Sequence, residues 1–150
     1  MTHTALVSPQ ILRRIQARGP NAFLDLIAEL LVFFSRTYEE VFNFSDPPLH
    51  DPCAVAFVIA PHIFKCERFR VDIETCSPLS SGQTVVDVWH QSRREANATV
   101  CTSMDVEKFW EIVVPAIHAA ATHSPLTASP RLVGATQEAV EKLVDGSMSS

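Results

Sequence analysis

The chain has 150 residues, 47% of them hydrophobic and 19% charged, which is enough for one globular domain with a real core. Its formal charge of −5, with no basic run and no aromatic-plus-basic patch, argues against nucleic acid as a partner. No apolar stretch is long enough to span a bilayer, MTHTALVSPQ has no charged or apolar leader region, and the four cysteines form no CxxC pair; together these point to a cytoplasmic protein with reduced thiols and no membrane partner, and against cysteine-held zinc.

The first helix is predicted in SPQILRRIQARG. Ser8 suits the cap, Pro9 the first position and Gly19 the end, while Ile11, Leu12 and Ile15 share one face. A longer helix runs from about Asn21 into the FNF segment, with Phe23, Leu24, Ile27, Leu30, Leu31 and Phe34 at three- and four-residue steps. SDPP breaks it. In DPPLHDPCAVAF, Asp51 before Pro52 reads as a helix cap and first-turn pair. The helix that follows is apolar on nearly every side, which predicts burial all round, and Pro61 closes it.

Then the period changes to two. In ERFRVDIET, Phe69, Val71 and Ile73 alternate with charged residues, as in a half-buried strand. TVVDVW and NATVCT are two more strand segments, and Asp72, Glu74 and Asp87 read as polar strand faces. DVEKFWEIVVPAIHAA returns to helical spacing, with Asp105 as cap and Pro115 expected to kink or shorten the helix. After Ala121 the composition turns to Ser, Thr and Pro, a tail with at most one short helix near Gln137 to Val144.

Only four glycines are present, with no Gly-rich phosphate loop, no GxSxG elbow and no carboxylate cluster in one loop. The order of two helices, a buried helix, strands and a last helix reads as the second half of an α/β domain. The cap explains Asp51, but it leaves His50 as an ionisable group with no structural task.

PLHDPCAVAF resembles the C-terminal signature of the inosine–uridine-preferring nucleoside hydrolases, the calcium-dependent ribonucleoside N-glycosidases. THTALVSPQIL, FRVDIETCSPLSSGQTVVDVW and DVEKFWEIVVPAI are similar to further family segments in the same order, so the resemblance covers roughly residues 2 to 121. It implies the C-terminal portion of an open, mostly parallel α/β domain at residues 1–121, followed by the tail at 122–150. It also implies hydrolysis of a ribonucleoside substrate to ribose and free base, a salvage reaction.

On the same resemblance, Asp51 is a Ca2+ ligand and His50 the acid that protonates the leaving base, a role suited to a group titrating near the working pH. Phe34, Tyr38 and Phe42 stand four residues apart along one helical face. That spacing serves core packing equally well, but in the family a mobile segment before the HD pair closes over the base. Tyr38 is the first choice there, because its ring can stack and its hydroxyl can hydrogen-bond. Nothing in MTHTALVSPQILRRIQARG resembles the family's aspartate-rich opening motif. The expectation is therefore a clipped enzyme, a partial gene model or a degenerate relative. Such a chain would be inactive alone, with a homo-oligomer or the missing N-terminal half as partner. The rival is a non-catalytic interaction module of the same descent; a cysteine- or histidine-bound metal protein rests on residue counts alone.

Overall fold

The computed structural model describes residues 1–43 and 46–128. The short helix expected near Gln137 to Val144 lies outside them. Three helices build the core: α1 (Pro9–Gln16), α2 (Ala22–Phe42) and α4 (Val106–His123). Each start is capped as its sequence dictates. Ser8 Oγ accepts from Ile11 N, Asn21 Oδ1 accepts from the Phe23 and Leu24 amides, and Asp105 Oδ1 accepts from Lys108 N. Helix α1 gives way to a turn ending at Gly19, whose φ of 80° lies in the left-handed region that glycine tolerates. Helix α2 ends at Phe42, and its cap Asn43 stands at φ 56°, another residue type that enters this region.

Ile11, Leu12 and Ile15 pack against Leu24, Ala28 and Val32 and against Phe109, Trp110 and Val114 in one buried cluster. The Phe109 ring is fully buried and meets Trp110 edge to face at 5.1 Å. Buried His118 ties α4 to α1 through Nε2 and the Ile15 carbonyl, 2.8 Å apart. Pro115 does not stop α4, which continues to His123. A proline removes one hydrogen-bond donor from a helix but leaves the flanking turns intact when a packed face holds them, and here Val114, His118 and Ala121 are buried. A short 3₁₀ turn, Pro125–Ala128, follows. The Thr127 hydroxyl there bonds the Ala121 carbonyl.

Helix α3 (Asp51–Ile59) corrects two expectations. The cap position falls on His50, which makes no side-chain capping bond, and Asp51 is the first helical residue. The helix is also not buried all round. Cys53 and Ala56 are buried, but Val58 is 81% exposed and Val55 and Ile59 lie more than half open. An all-apolar helix touched on one side only leaves its other side uncovered.

Residues 64 to 104 form an antiparallel excursion. Strand β1 (Phe64–Phe69) pairs with β4 (Ala98–Met104), and β2 (Val71–Ile73) with β3 (Thr84–Val86). The single strand expected over ERFRVDIET divides at Arg70, where the Asn97 side-chain amide bonds both the N–H and the carbonyl of Val71 and carries the ladder across. The α/β class holds. A parallel sheet is not among the described strands, because a chain folding back without a crossover helix can pair only antiparallel. Glu74 and Asp87 lie just beyond strand ends, not on strand faces. Glu74 accepts from the Cys76 and Ser77 amides, Asp87 from the Gln91 and Ser92 amides, and these bonds hold both carboxyls below their usual range. Asp72 is gripped by Arg70 and Arg94.

Candidate active site

His50 is held in place by the backbone on either side of it. Residues 5 to 7 run antiparallel to residues 47 to 49: Val7 N donates to the Pro47 carbonyl and Leu49 N to the Ala5 carbonyl, both at 3.0 Å. Pro47 and Pro48 stiffen this segment, since a proline fixes its own φ. On the far side, Cys53 N donates to the His50 carbonyl and the buried Cys53 thiol to the Leu49 carbonyl. Burial pushes that thiol upward from its ordinary pKa, which leaves it an inert donor. The histidine thus sits on a junction fixed from both directions.

The side chains of α2 meet that junction. The Tyr38 hydroxyl lies 3.5 Å from His50 Nδ1, and the two rings are nearly parallel with centroids 6.3 Å apart. At that separation the hydrogen bond is long and weak. Phe34, one turn earlier, stands half exposed. Between the elements lies an open cleft of about 240 Å³, lined by Leu31, Phe34, Tyr38, Pro48, His50 and Asp51 among others. That is smaller than the roughly 300–1,000 Å³ of a typical small-molecule pocket.

The structure therefore gathers four of the five residues singled out in the sequence, Phe34, Tyr38, His50 and Asp51, around one cleft. Phe42 is not among the lining residues. It packs against Tyr38 with ring centroids 5.4 Å apart and is otherwise exposed. Phe34 and Phe42 both lie outside the buried cluster. In the sequence His3 reads as one of several scattered structural or surface histidines. Its ring meets His50 edge to face at 5.2 Å, brought there by the pairing of residues 5 to 7 with 47 to 49.

Asp51 is exposed at the rim. Calcium takes 6–8 oxygen ligands, so a single carboxylate does not make a calcium site. Among the described residues no three histidine, cysteine or acidic side chains converge as a metal site. These residues alone do not fit the ion that the family resemblance implies.

Among the described residues no helix is long and apolar enough to cross a membrane. The family model for inosine-uridine preferring nucleoside hydrolase matches residues 1–111. A probable ribonucleoside hydrolase of Dictyostelium discoideum is 48% identical over 121 residues, covering 77% of this chain and 36% of the relative. An inosine-uridine preferring nucleoside hydrolase of Leishmania major is 36% identical over 119 residues, covering 78% of this chain and 37% of the relative. Among solved structures, a purine-preferring ribonucleoside hydrolase from Gardnerella vaginalis superposes with a TM-score of 0.67 at 20% identity, covering 82% of this chain and 39% of that one. At that identity the likeness speaks for the fold. The chain spans little more than a third of the length of each of these relatives.

Proposed function

The chain belongs to the inosine–uridine preferring nucleoside hydrolase family, and on that premise we propose that it supplies the acid-bearing wall of a ribonucleoside N-glycosidase site. The reaction adds water across the bond between ribose and base: the hydroxyl goes to the anomeric carbon and a proton to the departing nitrogen base. The observation that carries this reading is the meeting of the Tyr38 hydroxyl, the His50 imidazole and the Asp51 carboxylate at one cleft.

The roles follow from the chemistry of each group. Positive charge builds on the sugar and electron density on the base as the bond stretches. Protonated His50 gives its proton to the base and so makes it a better leaving group. With Nδ1 facing the Tyr38 hydroxyl, Nε2 is the ring nitrogen left for the transfer. Tyr38 offers the base a ring to stack on and a hydroxyl to bond, Phe34 extends the apolar wall, and Phe42 backs the Tyr38 ring. Asp51 is proposed as one metal ligand, with the remaining carboxylates supplied from outside the described residues. With those further ligands in place, a calcium ion held by Asp51 would supply charge stabilisation and a more acidic water.

The same division accounts for the uncovered surface. Val55, Val58 and Ile59 on α3, with Leu30 and Phe33 on α2, expose a large apolar area for a soluble chain. The remainder of the family domain is the partner proposed to cover it. The rival reading, a non-catalytic interaction module, draws on that same surface, and one experiment separates the two. Expressed alone, the chain should self-associate, bind a hydrophobic dye and leave uridine and inosine intact. Co-expressed with a family segment that carries the aspartate-rich motif, it should become soluble and release ribose in a calcium-dependent way. A soluble complex without cleavage would favour the module. Cleavage by the chain alone would overturn the proposed division of the site.

A further inference from the structure

Cys66 on β1 and Cys101 on β4 are 35 residues apart in sequence, yet their sulfurs lie 3.3 Å from each other. A slip in the register brings them together. Phe64 pairs with Met104 and Lys65 with Ser103, so an unbroken ladder would set Cys66 against Thr102. The register shifts between Lys65 and Cys66, Thr102 is left over, and Cys66 pairs with Cys101 instead. The extra residue is itself anchored, because the Thr102 hydroxyl donates to the Lys65 carbonyl at 3.1 Å. A β-bulge of this kind re-aims side chains. Directly paired residues of an antiparallel ladder have Cα atoms about 4.5–5.5 Å apart, inside the roughly 4.4–6.8 Å that a disulfide spans. The strands need not move for the sulfurs to bond.

We propose that Cys66 and Cys101 form a thiol–disulfide exchange site, oxidised by a small-molecule disulfide to a cross-strand bond that ties β1 to β4. Cys66 is exposed and Cys101 is partly covered. Burial and the contact with Cys66 push the Cys101 thiol up to about 11, so Cys66 is the sulfur that reacts first. Its thiolate attacks one sulfur of the incoming disulfide, and the other half leaves as a thiol. The Cys101 sulfur then attacks Cys66 Sγ in this mixed disulfide and displaces the second small-molecule thiol. Two protein thiols are oxidised, one small disulfide is reduced, and the two protein protons end on the two released thiols. The other cysteines provide internal contrasts. Cys53 is buried and donates to the Leu49 carbonyl, whereas Cys76 is exposed with the Thr75 hydroxyl 3.8 Å from its sulfur. Cys76 can therefore form a mixed disulfide but has no thiol partner to resolve it.

The test treats the whole native chain with excess oxidised glutathione, blocks remaining thiols by alkylation, and maps tryptic peptides by mass. The expected product links Cys66–Arg68 to Glu95–Lys108, with two of the four thiols lost to that bond and restored by a reductant. Cys76 should carry glutathione, and Cys53 should be alkylated only after unfolding. In Cys101→Ser, Cys66 should keep its glutathione at a level at least ten times that in the parent chain, because nothing displaces it. Separate adducts on Cys66 and Cys101, no reaction at either, linkage to Cys76 as often as to each other, or Cys66 bonds between two copies would each overturn the proposal. Pairing in urea gives the indiscriminate pattern for comparison.

Discussion

Replacing His50 by alanine is expected to slow ribonucleoside cleavage by about 10²–10⁴-fold in the assembled enzyme, the ordinary cost of losing a general acid. The loss should be greatest for nucleosides whose bases leave poorly, because these depend most on a proton at the moment of departure. With a nitrophenyl riboside the leaving group needs no proton, and His50→Ala should approach the parent rate. Tyr38→Phe tests the other side of the pair. It keeps the ring and removes the hydroxyl facing Nδ1, so it should cost far less than His50→Ala. An equal loss on both substrates for His50→Ala would remove His50 from the acid role and make it a residue that positions the cleft.

The Phe109→Ala substitution should be the most damaging change to the fold. The ring is fully buried where α1, α2 and α4 meet and touches Trp110 edge to face. Truncating a buried phenylalanine costs about 3–5 kcal/mol in lost transfer energy and residual cavity, against a total stability of only about 5–15 kcal/mol for a domain. The urea midpoint followed by circular dichroism should fall accordingly. A cost below about 0.5 kcal/mol, the range of substitutions away from packed sites, would mean that the three helices do not share one core.

The helices were largely legible because their signals are local. Ser8, Asn21 and Asp105 each precede an apolar repeat of helical period, and each caps as its side chain dictates. Helix α3 was misread because its sequence is apolar at every position: periodicity cannot say which side is covered, and the uncovered side depends on surfaces distant in the sequence. The cap went astray by one residue for a related reason, since Asp51 and Pro52 satisfy the pattern at either register. In the cleft, Tyr38 and His50 stood out by residue type and by family resemblance. His3 did not, because a single β-bridge between Leu6 and Pro48 brings it in, too short a pairing to leave an alternating pattern. The Cys66–Cys101 pair was equally hidden, since it depends on one extra residue in a ladder whose register no local signal records.

Calcium calorimetry on the chain, alone and assembled, tests most directly whether this chain contributes one ligand to a site completed from elsewhere. Alone, with one carboxylate at the cleft, it should show no stoichiometric tight binding even at millimolar calcium, as expected when 6–8 oxygens are required. Assembled with the aspartate-rich segment, it should give a one-to-one isotherm that Asp51→Ala weakens sharply and His50→Ala leaves unchanged. A tight one-to-one isotherm for the chain alone, lost in Asp51→Ala, would show that the chain holds a complete metal site and would contradict the proposed division.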